Sequence, residues 1–202
     1  MKRKSLLITI FAFQVLIGNA QIAGNDQSKD TLKHAIYFGY GTATTPALAY
    51  ATAAIISSIL PFPVSAVNQY ETKFSGAFFI GCQYSVSQRV SLGATFAYEK
   101  SNTKESSGSF VYTGHYYTVL AGTKYKYSLN RKVSLYGRAD LGVLIYSSDS
   151  KGENQDSYNI SPSNFAFQIS PLCVRVGEKF GGYCELGIGN IGILSFGCDY
   201  RF

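Results

Sequence analysis

Four cysteines, two histidines and a thin scatter of charges of both signs are the residues of this 202-residue chain whose chemistry could carry a function. Cys82, Cys173, Cys184 and Cys198 form no CxxC pair and no Cys/His spacing suited to zinc, so no metal site is expected. One pair has a geometric case. If "NIG" at 190–192 is a three-residue hairpin with Gly192 left-handed, Cys184 and Cys198 stand opposite each other, where an exported protein could bridge them. A cross-strand bridge is strained relative to the preferred disulfide geometry, and free thiols sit equally well on an apolar face. His115, in "YTGHYYTV", has no serine or acid beside it in sequence, so the sequence offers no local nucleophile, base and orienting group around it. Aromatic packing is its plainer role, and neither it nor His34 implies a cofactor.

The charges are more informative because of where they fall. After residue 32 the chain reads as strands, with apolar and polar residues alternating at period two and turn residues between the runs. Eight segments are expected, near 33–43, 70–87, 90–104, 110–128, 133–148, 164–177, 182–189 and 193–202. In the second, Phe74, Phe78, Ile80, Cys82, Tyr84 and Val86 oppose Ser75, Gly81, Gln83 and Ser85. In the fifth, Val133, Leu135, Leu141, Val143 and Ile145 oppose Ser134, Arg138 and Asp140. Glu99, Lys124, Lys126, Arg138, Asp140, Glu185, Asp199 and Arg201 all lie on the polar side of their segments.

Connections alternate in length. "YSVSQRVSLG" and "YSLNRKVSLYG" are tight, similar turns, and "GEKFGGY" is short again; 44–69 and 147–163 are long. The ends of the segments gather tyrosines, Tyr37, Tyr40, Tyr84, Tyr98, Tyr116, Tyr125, Tyr146 and Tyr200 among them, as an interfacial belt would. Charged residues make up only 15% of the chain against about 25% in soluble domains. Alternation alone also describes a soluble sandwich, with the polar face wet. Segment length decides for a membrane barrel, since runs of ten to eighteen residues suit tilted membrane-crossing strands better than globular ones. The apolar face then meets lipid and the polar face fills the interior.

The first twenty residues are a targeting segment: Lys2, Arg3 and Lys4, an apolar run over 5–17, then "GNA". The run is too short to cross a bilayer as a stable helix. A signal peptide at 1–20 and a barrel domain at 21–202 are therefore expected, one domain with no lipoprotein cysteine after the cleavage site. Removing three of the 18 basic residues leaves 15 against 12 acidic, a net of +3, and no basic cluster interleaved with aromatics points to nucleic acid.

The signal, the eight alternating segments and the ending "FGCDYRF" together resemble the small eight-stranded outer-membrane β-barrels of Gram-negative bacteria, the OmpA/OmpX-like group. The resemblance implies an all-β antiparallel transmembrane barrel in the outer membrane, with both termini on the periplasmic side and no appended soluble domain. It also implies that Phe196, Tyr200 and Phe202 form the signal read by the barrel-assembly machinery, with membrane lipid as the other standing partner. An eight-stranded interior is only wide enough for side chains, and charges there need partners. A buried network among Glu99, Lys124, Lys126, Arg138, Asp140, Glu185 and Arg201 is expected.

The stretch "PALAYATAAIISSILPFPVSAV" at 46–67 is uncharged and Ala/Ile-rich, with Pro61 and Pro63 breaking it. It is expected to hold a short helix over 47–60, covering the barrel mouth or lying in the outer interface, and to contact a protein, a lipid or an apolar ligand. The function class that follows is a structural or surface-interaction barrel rather than an enzyme. A small channel or carrier for apolar molecules, and a lipid-modifying enzyme using His115, stay open as alternatives.

Overall fold

A computed structural model of the chain describes residues 33–59, 70–105, 111–128, 132–152, 155–160 and 163–202. The expected signal at 1–20 lies outside the described residues, as does 60–67 of the uncharged stretch. Nine strands run in chain order, β1 (His34–Thr42), β2 (Tyr70–Ser85), β3 (Val90–Glu105), β4 (Val111–Lys126), β5 (Val133–Gly152), β6 (Gln155–Ile160), β7 (Asn164–Gly177), β8 (Phe180–Gly189) and β9 (Leu194–Arg201). One helix, α1 (Thr45–Ile59), follows β1. All pairings are antiparallel, and β4 pairs with both β3 and β5, so eight strands close into a barrel while β6 hangs on the outer end of β5. The seam is β1 against β9, with Ile36 opposite Tyr200 and Tyr40 opposite Phe196. It is locked at its end by reciprocal backbone bonds between His34 and Phe202 of 3.0 and 2.9 Å.

Closure in this form leaves no strand edge for lipid to meet, the condition for crossing a bilayer with sheet. The burial pattern is inverted relative to a soluble protein. Phe38, Ile80, Leu141 and Phe165 are 58, 55, 59 and 70% exposed on the outside, while Arg138, Arg175, Gln168 and Glu185 are buried inside. No described helix is long and apolar enough to cross a membrane. The sandwich reading is excluded by the β4–β5 closure.

Two bulges break the alternation, and each turns a side chain across the wall. Between Phe74 and Ala77 the β2–β3 register slips at Ser75 and Gly76, the latter with φ of +76°. A β-carbon at Gly76 would collide with the Tyr40 hydroxyl, which donates to the Ser75 carbonyl at 2.6 Å. Phe74, expected on the apolar face with Phe78, consequently faces inward, opposite Ser101. In β7 the register slips on both sides at Ser170 and Pro171. Proline has no N–H to give to a ladder, and Tyr127 donates to its carbonyl at 2.9 Å. Beyond it Cys173 and Arg175 point inward instead of Leu172 and Val174.

The barrel is lopsided. β1, β7, β8 and β9 stop near the rim, whereas the β2–β3, β3–β4 and β4–β5 pairings run on to Tyr70–Glu105, Lys104–Val111 and Val111–Lys151. Pairing of β6 with β5 from Ser147–Ile160 to Gly152–Gln155 widens this projection. It lies opposite the tight turns at 86–89 and 178–179 and opposite both strand termini at the seam, which makes it the outer end by the usual asymmetry of such barrels. The sequence pattern missed β6 because "QDSYNI" alternates too weakly and too briefly.

Two expectations need correction. Cys184 lies opposite Phe196, and Cys198 opposite Gly182, because the β8–β9 ladder ends at Leu186–Leu194 and leaves residues 187–193 between the paired strands rather than a three-residue turn. The two cysteines are therefore offset, and all four are free. Of the expected tyrosine belt, Tyr37 is 2% exposed within the barrel, and Tyr116 and Tyr146 also face inward.

Leu141 sits mid-strand on the outer wall, so Leu141→Arg should lower the unfolding free energy in lipid by about 2–4 kcal/mol, the range for a cation facing the bilayer midplane. A urea titration followed by heat-modifiable gel mobility measures it. A loss below about 0.5 kcal/mol, the usual cost at a water-exposed surface, would mean that this face does not meet lipid.

Candidate functional site

Inward-facing charges gather in two groups. In the first, β4 and β5 bring Lys124 and Arg138 side by side as cross-strand partners, and β8 supplies Glu185 from the opposite wall. Lys124 Nζ lies 3.7 Å from Glu185 Oε1, and Arg138 Nη1 lies 3.2 Å from Oε2. Arg138 Nε also binds Asp140, two residues along on the same face. Tyr136 donates to Glu185 Oε1 at 2.6 Å, and Arg138 Nη2 to Thr95 Oγ1 at 2.5 Å, with Tyr37 2.6 Å from the same threonine oxygen. Lys124 completes its surroundings over the Tyr37 ring, 4.3 Å from the centroid. Two cations face two anions, and the remaining donors and acceptors are taken up by hydroxyls and ring faces. Buried charges are tolerated only under these conditions.

The second group lies toward the periplasmic end. Arg175 Nε is 2.8 and 2.7 Å from the two Asp199 oxygens, and its other nitrogens reach the carbonyls of Gly177 and Glu178. Arg201 Nε approaches Asp199 at 3.5 Å. Arg175 is the residue that sequence reasoning missed. Strict alternation from Ala166, Gln168 and Ser170 puts it outside, and the available signal was Pro171, a proline where a central strand does not accept one.

Glu99 belongs to neither group. It is 3% exposed near the outer mouth, and the hydroxyl of Thr44 lies 2.8 Å from both its oxygens. An apolar layer of Ala97, Leu120, Phe79, Ala166 and Ile191 stands between it and the cations. The expected network therefore divides into Lys124–Arg138–Asp140–Glu185, Arg201 with Asp199 and Arg175, and a separate Glu99. Lys126 shares the inward face two residues below Lys124, opposite Tyr136.

On the outer wall, His115 Nδ1 is 2.8 Å from the Tyr98 hydroxyl, and Nε2 is 3.5 Å from Asp149 Oδ2. Rings of Tyr98 and Tyr117 flank the imidazole. Both nitrogens are thus engaged, and Ser147, directly across from His115, has a buried hydroxyl that bonds nothing. The geometry is that of an aromatic-belt histidine beside an acid, and among the described residues no serine hydroxyl bonds it. His34, at the other rim, stacks on Phe202 with centroids 5.7 Å apart. Phe196, Tyr200 and Phe202 stand half-exposed on the lipid face of β9. Among the described residues no group of three His, Cys, Asp or Glu side chains could hold a metal.

No protein-family model matches the chain, and no curated protein matches it in sequence. Two solved structures are similar in fold. One is Ail, the attachment invasion locus protein of Yersinia pestis, and the other is the same protein in complex with the heparin analogue sucrose octasulfate. Each is 16% identical with a TM-score of 0.51, covering 85% of this chain and 99% of that one. The chain thus shares the fold of that barrel, and its own closed wall with apolar residues outside and charges inside makes it an integral membrane protein.

Removing Arg138 leaves Asp140 and Glu185 in a closed interior with Lys124 as the one remaining cation of their group. Arg138→Met should cost about 3–5 kcal/mol, and adding Glu185→Gln to it should restore part of that loss. Urea midpoints of the three proteins in lipid measure this; strictly additive losses would show that the two side chains do not interact.

Proposed function

We propose that the protein is a surface-interaction barrel, a membrane anchor that holds a sheet outside the cell for contact with a partner. The observation that carries this reading is the lopsided wall: β2 to β5 continue past the rim and β6 extends them, above an interior occupied by its own side chains. The filled interior weighs against a carrier passing apolar molecules through the barrel, and the occupied His115 nitrogens weigh against a histidine-based lipid enzyme. Phe196, Tyr200 and Phe202 fit the assembly signal, their alternation along the last strand being what the assembly machinery would read.

The outer face of the projection also suggests a ligand chemistry. Lys73 pairs across from Asn102, and Lys100 and Lys104 flank Asn102 on the same face of β3. Three ammonium groups on adjacent rungs suit a polyanion. That the similarly folded Ail has been seen with a heparin analogue makes sulfated glycans the class to try first. Asp149, beside His115, tempers the positive field.

Sucrose octasulfate titrated onto the protein in lipid nanodiscs should bind at low ionic strength and weaken as salt screens the lysines. Replacing Lys73, Lys100 and Lys104 together by alanine should weaken it at least tenfold. Absence of binding at low salt, or binding indifferent to the triple substitution, would overturn the assignment.

A further inference from the structure

Three irregularities described separately above meet at one place, the outer mouth. The first is the exit of β1. Ala43 has φ of 54°, a left-handed conformation that a residue with a β-carbon seldom adopts. The turn is held by Ile193, whose N–H lies 2.9 Å from the Thr42 carbonyl and 3.3 Å from that of Ala43. The second is Glu99, a buried carboxylate with which no Lys, Arg or His of the described residues forms an ion pair. The third is the Ser75–Gly76 bulge, which turns Phe74 from the lipid face to the mouth.

All three are explained by α1. Thr44, 0% exposed, caps the helix: its hydroxyl accepts from the Ala47 N–H at 3.5 Å, and its carbonyl takes the first helical bond, from Leu48 at 2.9 Å. The same hydroxyl donates to Glu99. The first turn of α1 carries no acidic residue, so the positive end of the helix dipole, about half a unit charge, is left for an outside anion to meet. Glu99 is that anion, fixed on the wall beneath the helix start. One turn further along, Tyr50 packs its ring on Phe74 with centroids 6.1 Å apart, and Phe74 lies 6.2 Å from Tyr116.

We infer that α1 is a lid over the barrel mouth, latched at its first turn by Thr44 on Glu99 and by Tyr50 on Phe74, and able to lift without unfolding the barrel. The latch sits on the first two turns of a single helix, whereas the wall beneath is a closed hydrogen-bonded cylinder. The inward Phe74 and the isolated Glu99 have no other work in the interior, where every other described carboxylate meets a cation. Lifting the lid would bare Glu99 and the Phe74–Tyr116 pair, not a pore, because the apolar layer of Leu120, Phe79 and Ile191 lies below.

Hydrogen exchange by mass spectrometry on the full chain, folded in lipid nanodiscs, tests this. Peptides over 45–52 should exchange faster than the barrel strands in the unmodified protein. Thr44→Val and Phe74→Ala should each speed them at least a further fivefold, while exchange of β3, β4 and β5 inside the barrel stays unchanged. Glu99→Gln should act in the same direction; if it does not fold, the other two substitutions, which leave every interior charge in place, decide alone. Unchanged exchange of α1 in both, or α1 exchanging only in step with the strands, would overturn the lid.

Discussion

The interior of an eight-stranded barrel is no wider than the side chains pointing into it, and this constraint governs the rest of the molecule. A closed sheet satisfies its backbone without water, so lipid can surround it, but only if the apolar residues face out. The polar residues are then committed to a narrow, largely dry space where an unpaired charge costs several kcal/mol. Lys124, Arg138, Asp140 and Glu185 meet that condition by mutual contact, with Tyr136, Tyr37 and Thr95 taking the remaining bonds. Arg175, Asp199 and Arg201 meet it again near the periplasmic end. The same side chains that allow the barrel to exist fill it.

A filled barrel has little to offer as a passage, so any activity has to be sought at its ends. The periplasmic end is short and closed by tight turns. At the outer end half of the wall continues as an exposed sheet, and α1 leans on its inner side at Glu99 and Phe74. These two features are complementary: the projecting strands supply the inward-facing Phe74 and Tyr116 beneath the helix and, on the other side, the lysines of β3. A partner approaching from outside meets the sheet and the helix before it meets the membrane.

Most of the architecture was legible because alternation is strict wherever lipid faces one side. A single inverted residue would place a charge in hydrocarbon, so period two persists through Phe78–Tyr84, Leu92–Tyr98 and Leu141–Ile145, and the strand bounds follow within a few residues. What could not be read were the places where the period slips. Pro171 reverses the sides of Cys173 and Arg175, and Gly76 reverses Phe74; both residues mark bulges, yet the pattern alone does not say on which strand the extra residue sits. The spacing of Cys184 and Cys198 failed for a related reason, a ladder that ends at Leu186–Leu194 instead of running up to a three-residue turn. Of the expected charge network Lys124, Arg138, Asp140 and Glu185 meet, but Glu99 stands apart and Arg175 was not expected, because which charges meet depends on how the walls face each other across the interior. Glu99 could be assigned to α1 only once the start of the helix was placed above it.

The central claim is that the barrel is plugged by its own side chains, and conductance tests it most directly. Purified, refolded protein inserted into planar bilayers is expected to give no stable conductance steps of the size a water-filled pore produces, both before and after Thr44→Val frees the lid. Stable, large, ohmic steps from the unmodified protein would contradict the account, because ions would then be crossing the space that Leu120, Arg138 and Glu185 are held to fill.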